Sequence, residues 1–206
     1  MGADLSIKKN QKSYLPTKIL KFILMKLVNL FIFIFIFFIS LSAKSDQFDS
    51  RLPSLFDQLY LSESLQEINQ ITEQIWDIWN ETNDISIEAD FYRGIKSMQT
   101  QDLFMAIAFF TRVVEKKPDF AEGWNKRATI YFMMGEFDKS MQDIIETLKL
   151  EPRHFGALDG MGLIFMHLEQ YNEAIKIYDQ MLKIFPNNQN IKIKRNSMKE
   201  YLSKSA

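Results

Sequence analysis

The sequence has 206 residues, of which 47% are hydrophobic and 25% charged, as expected for one or two globular domains and not for a disordered chain. It contains no cysteine, which excludes disulfides, thiolate metal sites and a cysteine nucleophile. Beyond residue 45 the chain carries 18 basic and 25 acidic residues, and a surface of this sign disfavours nucleic acid as a partner.

Residues 1–45 have the pattern of an export signal. Residues 27–41, LVNLFIFIFIFFISL, form an uncharged core of fifteen residues, which suits a signal peptide and is short for a membrane span of about 20 residues. The core follows Lys18, Lys21 and Lys26, which would keep its leading end in the cytoplasm. We expect Met25 to be the initiator and cleavage to follow Ala43 or Ser45. The alternative is an uncleaved anchor in the inner membrane.

The segment 46–86 is predicted to form a helical hairpin. Its apolar residues recur at helical spacing in two runs: Leu52, Leu55, Phe56, Leu59 and Tyr60, then Leu65, Ile68, Ile71, Ile75, Ile78 and Trp79. In the register of the repeats that follow, Tyr60 and Thr72 occupy positions where small residues belong. We therefore expect a degenerate repeat that packs differently and caps the amino-terminal edge.

Residues 87–186 contain a 34-residue repeat, marked by Pro118, Pro152 and Pro186. Three other positions are small in every copy, and a fourth is large and apolar: Gly94, Ala128 and Gly162; Ala106, Ser140 and Ala174; Ala89, Gly123 and Ala157; and Phe110, Ile144 and Tyr178. Small residues let two helices approach closely, and proline ends the second helix. The copies span residues 87–120, 121–154 and 155–186. Each is a predicted hairpin that must stack on its neighbours to bury its apolar face.

The period and the repeated positions resemble the tetratricopeptide repeat (TPR) family over about half of the chain. The second copy matches best, with Trp124, Ala128, Tyr131, Gly135, Ser140 and Pro152. The first copy has Asp90 where the family prefers tryptophan. The runs 121–129 and 152–158 are also similar to short secreted repeat proteins of Gram-negative bacteria. The resemblance implies an all-α solenoid that binds other proteins, exported to the periplasm or secreted.

The residues that end the chain, 187–206, are predicted to form a capping helix. Ile191, Met198 and Leu202 share one face of a lysine-rich segment. Such a helix can bury one face on the last repeat while water solvates the other.

The family resemblance implies that the first helix of each repeat lines a concave binding surface. The inner positions lie along one side of these helices and are rich in methionine and aromatic residues, which make adaptable apolar contacts. The predicted partner-binding residues are Phe91, Ile95, Met98, Glu122, Asn125, Phe132, Met133, Asp159, Leu163, Met166 and His167. We expect this groove to take an apolar helix or an extended segment of another protein. The alternative is that the hairpin or the carboxy-terminal helix fills it.

Two arginines replace the leucine that the family prefers in the first helix. A buried arginine needs acceptors, because an unpaired interior charge is costly. Glu122 and Asp143 are candidate partners of Arg127, in a structural salt bridge between helices. The other interpretation is that Arg127 and Arg93 present a cation to a ligand carboxylate.

No catalytic or cofactor motif is present. The sequence has no HExxH, no glycine-rich phosphate loop and no GxSxG elbow. We therefore expect a scaffold, assembly factor or regulator that is not an enzyme and needs no cofactor or metal. The alternative from another class is a metal-assisted hydrolase that uses His154 and Asp159.

Overall fold

The computed structural model describes residues 47–205, and every regular element in that range is an α-helix. The helices are α1 Leu52–Leu61, α2 Leu65–Asn80, α3 Ile85–Gln99, α4 Leu103–Lys116, α5 Ala121–Met133, α6 Phe137–Leu150, α7 Phe155–His167, α8 Tyr171–Ile184 and α9 Gln189–Ser205. Within this range no helix is both long and apolar enough to cross a membrane. The predicted export signal, its cleavage sites and Met25 lie outside the described residues.

Local sequence explains where several helices begin and end. Four of them start after a residue whose side chain accepts a hydrogen bond from a first-turn backbone N–H: Ser64, Asp84, Asp102 and His154. The turn after α3, α5 and α7 contains one residue with positive φ, at Gln101 (60°), Gly135 (75°) and Glu169 (58°). These three positions are 34 residues apart, so the repeat is visible in the backbone conformation as well as in the side chains.

Three helix pairs, α3–α4, α5–α6 and α7–α8, form the solenoid. A Cβ on Gly94 would lie 2.8 Å from the Phe110 ring, and one on Gly162 would lie 2.9 Å from Tyr178. Ala106, Ser140 and Ala174 are buried at equivalent positions of the second helices. The small residues therefore let the helices cross closely beside one large side chain. The predicted all-α solenoid of helical hairpins is confirmed over the described residues.

The α1–α2 hairpin packs somewhere other than the predicted amino-terminal edge. Its main contacts outside the hairpin are with α5 and α8, and it shares one apolar cluster with α7, α8 and α9. The rings of Trp76 and Trp79 lie 5.2 and 4.9 Å from that of Phe155. Asn187 Nδ2 donates to the carbonyl of Ser62 at 3.0 Å. The expected capping of the first repeat is thus wrong.

Apolar contacts account for this placement. On α3, Asp90 is buried against Arg112 and Lys116 of α4, and Arg93 is exposed, so neither position offers an apolar surface to the hairpin. The hairpin instead offers large apolar side chains, and these find apolar partners on the third repeat. Gln47, which lies before α1, contacts the turn before α5, where Ala121 N–H donates to Gln47 Oε1 at 3.3 Å.

Helix α9 closes the other end of the solenoid. Ile191 and Met198 are buried in the cluster that α9 shares with α8. Arg195 donates to Asp179 of α8 at 2.9 Å. One face of α9 is therefore held by apolar contacts and by an ion pair.

Candidate functional site

A cavity of about 180 Å³ lies between α5 and α7, the first helices of the second and third repeats. Its lining consists of Asn125, Ala128, Thr129, Phe132, Ser140, Ile144, Gly156, Asp159, Gly160 and Leu163. Four of the predicted partner-binding residues are among them: Asn125, Phe132, Asp159 and Leu163. We call this space the α5–α7 cavity.

The lining of the cavity combines small residues with larger apolar side chains. A Cβ on Gly160 would lie 3.3 Å from Ile144, so α7 and α6 approach closely there. Phe132 and Leu163 are half-buried, so part of each apolar side chain is available at the surface. The cavity therefore presents a mainly apolar wall with amide, hydroxyl and carboxylate groups beside it.

Asp159 is the one charged residue in this lining. Its carboxylate is 33% exposed and accepts a hydrogen bond from Lys194 Nζ of α9 at 2.6 Å. Burial raises the pKa of the Tyr178 hydroxyl, and the negative charge of Asp159 raises it further. Tyr178 stays neutral at physiological pH, and its hydroxyl donates to Met166 Sδ at 3.6 Å.

Trp76, from the hairpin, lies close to one of the lining residues. A Cβ on Gly156 would be 2.5 Å from Trp76 Cη2, so only glycine leaves room for the ring. Lys126 Nζ lies 5.2 Å from the centroid of the same ring. Sequence reasoning missed Trp76 because it assigned the hairpin to the opposite edge. The available signal was Gly156, which replaces the glutamate of the other two copies.

A buried polar group joins the starts of α5 and α7. His154 Nδ1 accepts from the backbone N–H of Ala157, so the ring proton lies on Nε2 and is donated to Glu122 Oε2 at 2.9 Å. Lys126 Nζ lies 2.6 Å from Glu122 Oε1. Burial favours protonation of Glu122, but Lys126 and His154 outweigh it and hold its pKa below the ordinary value. Trp79 stacks on His154 with centroids 4.1 Å apart.

Three predicted partner-binding residues are buried. Asn125 lines the cavity but is only 5% exposed, and its Nδ2 donates to Glu122 Oε2 at 3.0 Å. The other two, Glu122 and Phe91, are fully buried and cannot contact a partner. Glu122 is 1% exposed because it holds the α5–α7 polar group together. Phe91 is 0% exposed, with its ring 5.9 Å from Phe110 and 5.2 Å from Phe120. The predictions that Glu122 and Phe91 bind a partner are wrong, because both side chains point toward the core of the protein.

The other predicted residues are spread over the inner surface, outside the cavity lining. Ile95 and Met98 are half-buried beside the core of the first repeat. Met133 and His167 are exposed at the carboxyl ends of α5 and α7, where the His167 ring lies 4.3 Å from that of Phe137. Met166 is half-buried.

Arg127 and Arg93, the two arginines at equivalent repeat positions, lie in different environments. Arg127 Nε and Nη2 donate to the Asp143 carboxylate at 2.7 and 2.8 Å, and Nη1 donates to Thr111 of the preceding repeat. Burial lowers the pKa of Arg127, but Asp143 more than offsets this and raises it. Arg93 is exposed, contrary to expectation, because the residue that corresponds to Asp143 is Phe109.

The alternative metal site is not assembled. Both ring nitrogens of His154 have hydrogen-bond partners, and Asp159 is paired with Lys194. Between residues 47 and 205, no group of three or more His, Asp and Glu side chains could hold a metal ion.

Comparison with known proteins gives consistent matches. The tetratricopeptide repeat profile matches residues 155–188. A TPR repeat-containing protein of Rhizobium etli is 33% identical over 153 residues, which cover 74% of this chain and 75% of that protein. Small glutamine-rich tetratricopeptide repeat-containing protein 2 of Mycosarcoma maydis is 26% identical over 113 residues, 55% of this chain and 32% of that protein.

A solved structure has the same fold. The first TPR of Spaghetti (RPAP3), bound to the HSP90 peptide SRMEEVD, superposes with a TM-score of 0.54 at 20% identity. The match covers 59% of this chain and 99% of that one. At this level of identity the likeness concerns the fold alone.

Proposed function

This chain belongs to the tetratricopeptide repeat family, and we propose that it is a protein-interaction module, acting as a scaffold, assembly factor or regulator. Its α5–α7 cavity takes a segment of another protein. The observation that carries the proposal is the pairing of half-exposed Phe132 and Leu163 across two successive first helices, beside Asn125 and Asp159. A concave apolar surface with a few polar groups is the usual form of a binding site.

The size of the cavity limits what it can hold. About 180 Å³ is less than the roughly 300–1,000 Å³ of a typical small-molecule site. One or two side chains of a partner would fill it, and the rest of the segment would lie along the inner surface. Polar groups beside the apolar wall would fix the direction of that segment.

Site-specific photo-crosslinking in cells tests this proposal. A photoreactive residue at Leu163 should capture a defined protein, whereas the same residue at exposed Ile145 on α6 should not. Adding Phe132→Ser should abolish capture from position 163 while leaving the melting temperature within a few degrees. Equal capture from both positions, or capture that survives Phe132→Ser, would contradict the proposal.

We also propose that the chain works outside the cytoplasm, in the periplasm of a Gram-negative bacterium or secreted from it. The support is the fifteen-residue apolar core at 27–41, which follows Lys18, Lys21 and Lys26, together with a cysteine-free sequence that tolerates an oxidising compartment. The same core could instead remain as an inner-membrane anchor.

Amino-terminal sequencing of the natural protein tests the export proposal. A mature chain that begins at Lys44 or Asp46 supports cleavage, and an intact core found only in the membrane fraction supports the anchor. Soluble cytoplasmic protein that retains residues 27–41 would contradict both. The first residue of the precursor would also test the proposed start at Met25.

A further inference from the structure

The charge beside the α5–α7 cavity already has a cationic partner from the same chain. Lys194 of α9 donates to Asp159 at 2.6 Å, with its Nζ 5.5 Å from the centroid of the Tyr178 ring. The two side chains are 38% and 33% exposed, so solvent and a partner can reach both. Lys194 therefore occupies the place beside the Asp159 carboxylate that a cation from a partner would take.

Helix α9 does not depend on this ion pair for its attachment. Buried Ile191 and Met198 fix α9 to α8, and Arg195 pairs with Asp179. A partly exposed ion pair contributes little to stability, because solvent screens both charges. Lys194 can thus leave Asp159 at small cost while α9 stays in place.

We propose that the α5–α7 cavity recognises an extended segment in which an apolar residue is next to a lysine or arginine. The apolar side chain lies between Phe132 and Leu163, and the cation replaces Lys194 on Asp159. Lys194 is then a tethered competitor that weakens binding and selects for segments carrying a charge. This inference rests on the proposed function of the cavity.

Charge complementarity favours a cation over a carboxylate. The lining contains one charged residue, and it is an acid. The two basic residues of α5 are already paired, Lys126 with buried Glu122 at 2.6 Å and Arg127 with Asp143 at 2.7 Å. The described part of the chain also has an excess of acidic residues, which attracts basic segments over a longer range.

The test uses a positional library of fluorescein-labelled heptapeptides with a central Leu, Ile, Phe or Met, flanked on either side by Lys, Gln or Glu. Fluorescence anisotropy at low salt measures affinity for the wild type and three single variants. Lys194→Gln and Asp159→Asn change the proposed pair. Lys192→Gln is the matched control, because it removes the same charge from the same helix. Thermal melts check that each variant is folded.

The expected result is a preference for Lys-containing peptides. Lys194→Gln should tighten their binding by about threefold to fivefold, the effect of losing one partly exposed competing ion pair. Asp159→Asn should weaken it by a similar factor or more and remove the preference for Lys over Gln. Lys192→Gln should leave both unchanged.

Other results would overturn the inference in different ways. Weaker binding by Lys194→Gln, with a preference for Glu peptides, would mean that Lys194 holds a partner's carboxylate. Binding that ignores the flanking charge and both substitutions would refute cation recognition and leave the proposed function standing. Failure of every peptide to bind, together with failed capture from position 163, would overturn both.

Discussion

The first and second repeats share one register but face different neighbours. In the second, Trp124 Nε1 donates to the carbonyl of Pro118, in the loop that arrives from the first repeat. The equivalent residue of the first repeat is Asp90, which bridges to Arg112 and Lys116 of its own α4 at 3.0 and 2.9 Å. These two cations hold the pKa of Asp90 below its usual value. An edge position therefore favours a solvated ion pair over a large ring.

The position of the α1–α2 hairpin adds a second difference between the first repeat and the two repeats that hold the candidate site. Because α1 and α2 pack on the second and third repeats, the α5–α7 cavity gains Trp76 nearby, whereas Tyr92 and Phe104 of the first repeat stay exposed. The side of the molecule that the hairpin covers is the side that holds the candidate site. The rival prediction, in which the hairpin fills the groove, is met at Gly156, which Trp76 contacts, and at Glu122, whose partner His154 is covered by Trp79.

The largest expected effect tests the docking of the hairpin. Trp79 is 1% exposed and packs on His154, Phe155 and Phe56, so Trp79→Ala should destabilise the protein by about 3–5 kcal/mol. Trp124→Ala, which truncates a half-buried ring on the second repeat, is the control and should cost clearly less. Urea unfolding measures both. A loss below 1 kcal/mol for Trp79→Ala would mean that the hairpin is not docked there.

A somewhat smaller effect tests the helix crossings in two repeats at once. Ala106→Leu and Ala174→Leu insert a branched side chain where both alanines are 0% exposed. Each should cost about 1–3 kcal/mol through overpacking. Thermal unfolding should show similar losses for the edge repeat and for the third repeat. An unchanged melting temperature for either variant would show that the helices of that repeat do not cross at the substituted position.

Acid titration probes the polar group at the start of the cavity. The pKa of Glu122 is lower in the folded state than in the unfolded chain, so its contribution is complete above the unfolded value of about 4.3. That contribution is lost as pH falls through the lower folded value. Glu122→Gln should reduce stability by about 1–3 kcal/mol at pH 7 and less below pH 4. Urea midpoints across pH 3–7 check this, and a cost independent of pH would contradict it.

The smallest expected effect concerns the turn conserved in conformation among the three repeats. Gln101 and Glu169 have positive φ, which glycine adopts without strain, so Gln101→Gly and Glu169→Gly should stabilise by about 0.5–1 kcal/mol. Gly135→Ala should destabilise by a similar amount, since its Cβ would meet no atom within 4 Å and only the backbone is strained. Calorimetric melts with the same sign for all three substitutions would refute this account.

The repeated residues were sufficient to predict the solenoid. Glycines and alanines at 34-residue intervals report the helix crossings directly, because each faces one large side chain. The same register also predicted residues of the inner surface, because Phe132 and Leu163 were assigned to it and both line the cavity. These are local consequences of packing within and between adjacent repeats, which a periodic sequence records.

Contacts between distant segments could not be predicted in this way. Trp76 meets Gly156, Lys194 meets Asp159, and nothing periodic links either pair. Glu122 was predicted to face a partner because its position is an inner one. Its burial depends on His154 from the next loop and on Trp79 stacked above that ring. Tertiary partners of this kind are set by the whole fold.

The central claim is that the α5–α7 cavity is the partner-binding site. The most direct measurement is calorimetric titration of the captured partner segment into the wild type, the Phe132→Ser/Leu163→Ser double variant and the Ile145→Ser control, which alters an exposed apolar residue of α6 outside the lining. The account predicts at least a tenfold loss of affinity for the double variant, about 1.4 kcal/mol or more, and none for the control. Equal affinities for all three, with unchanged melting temperatures, would contradict it.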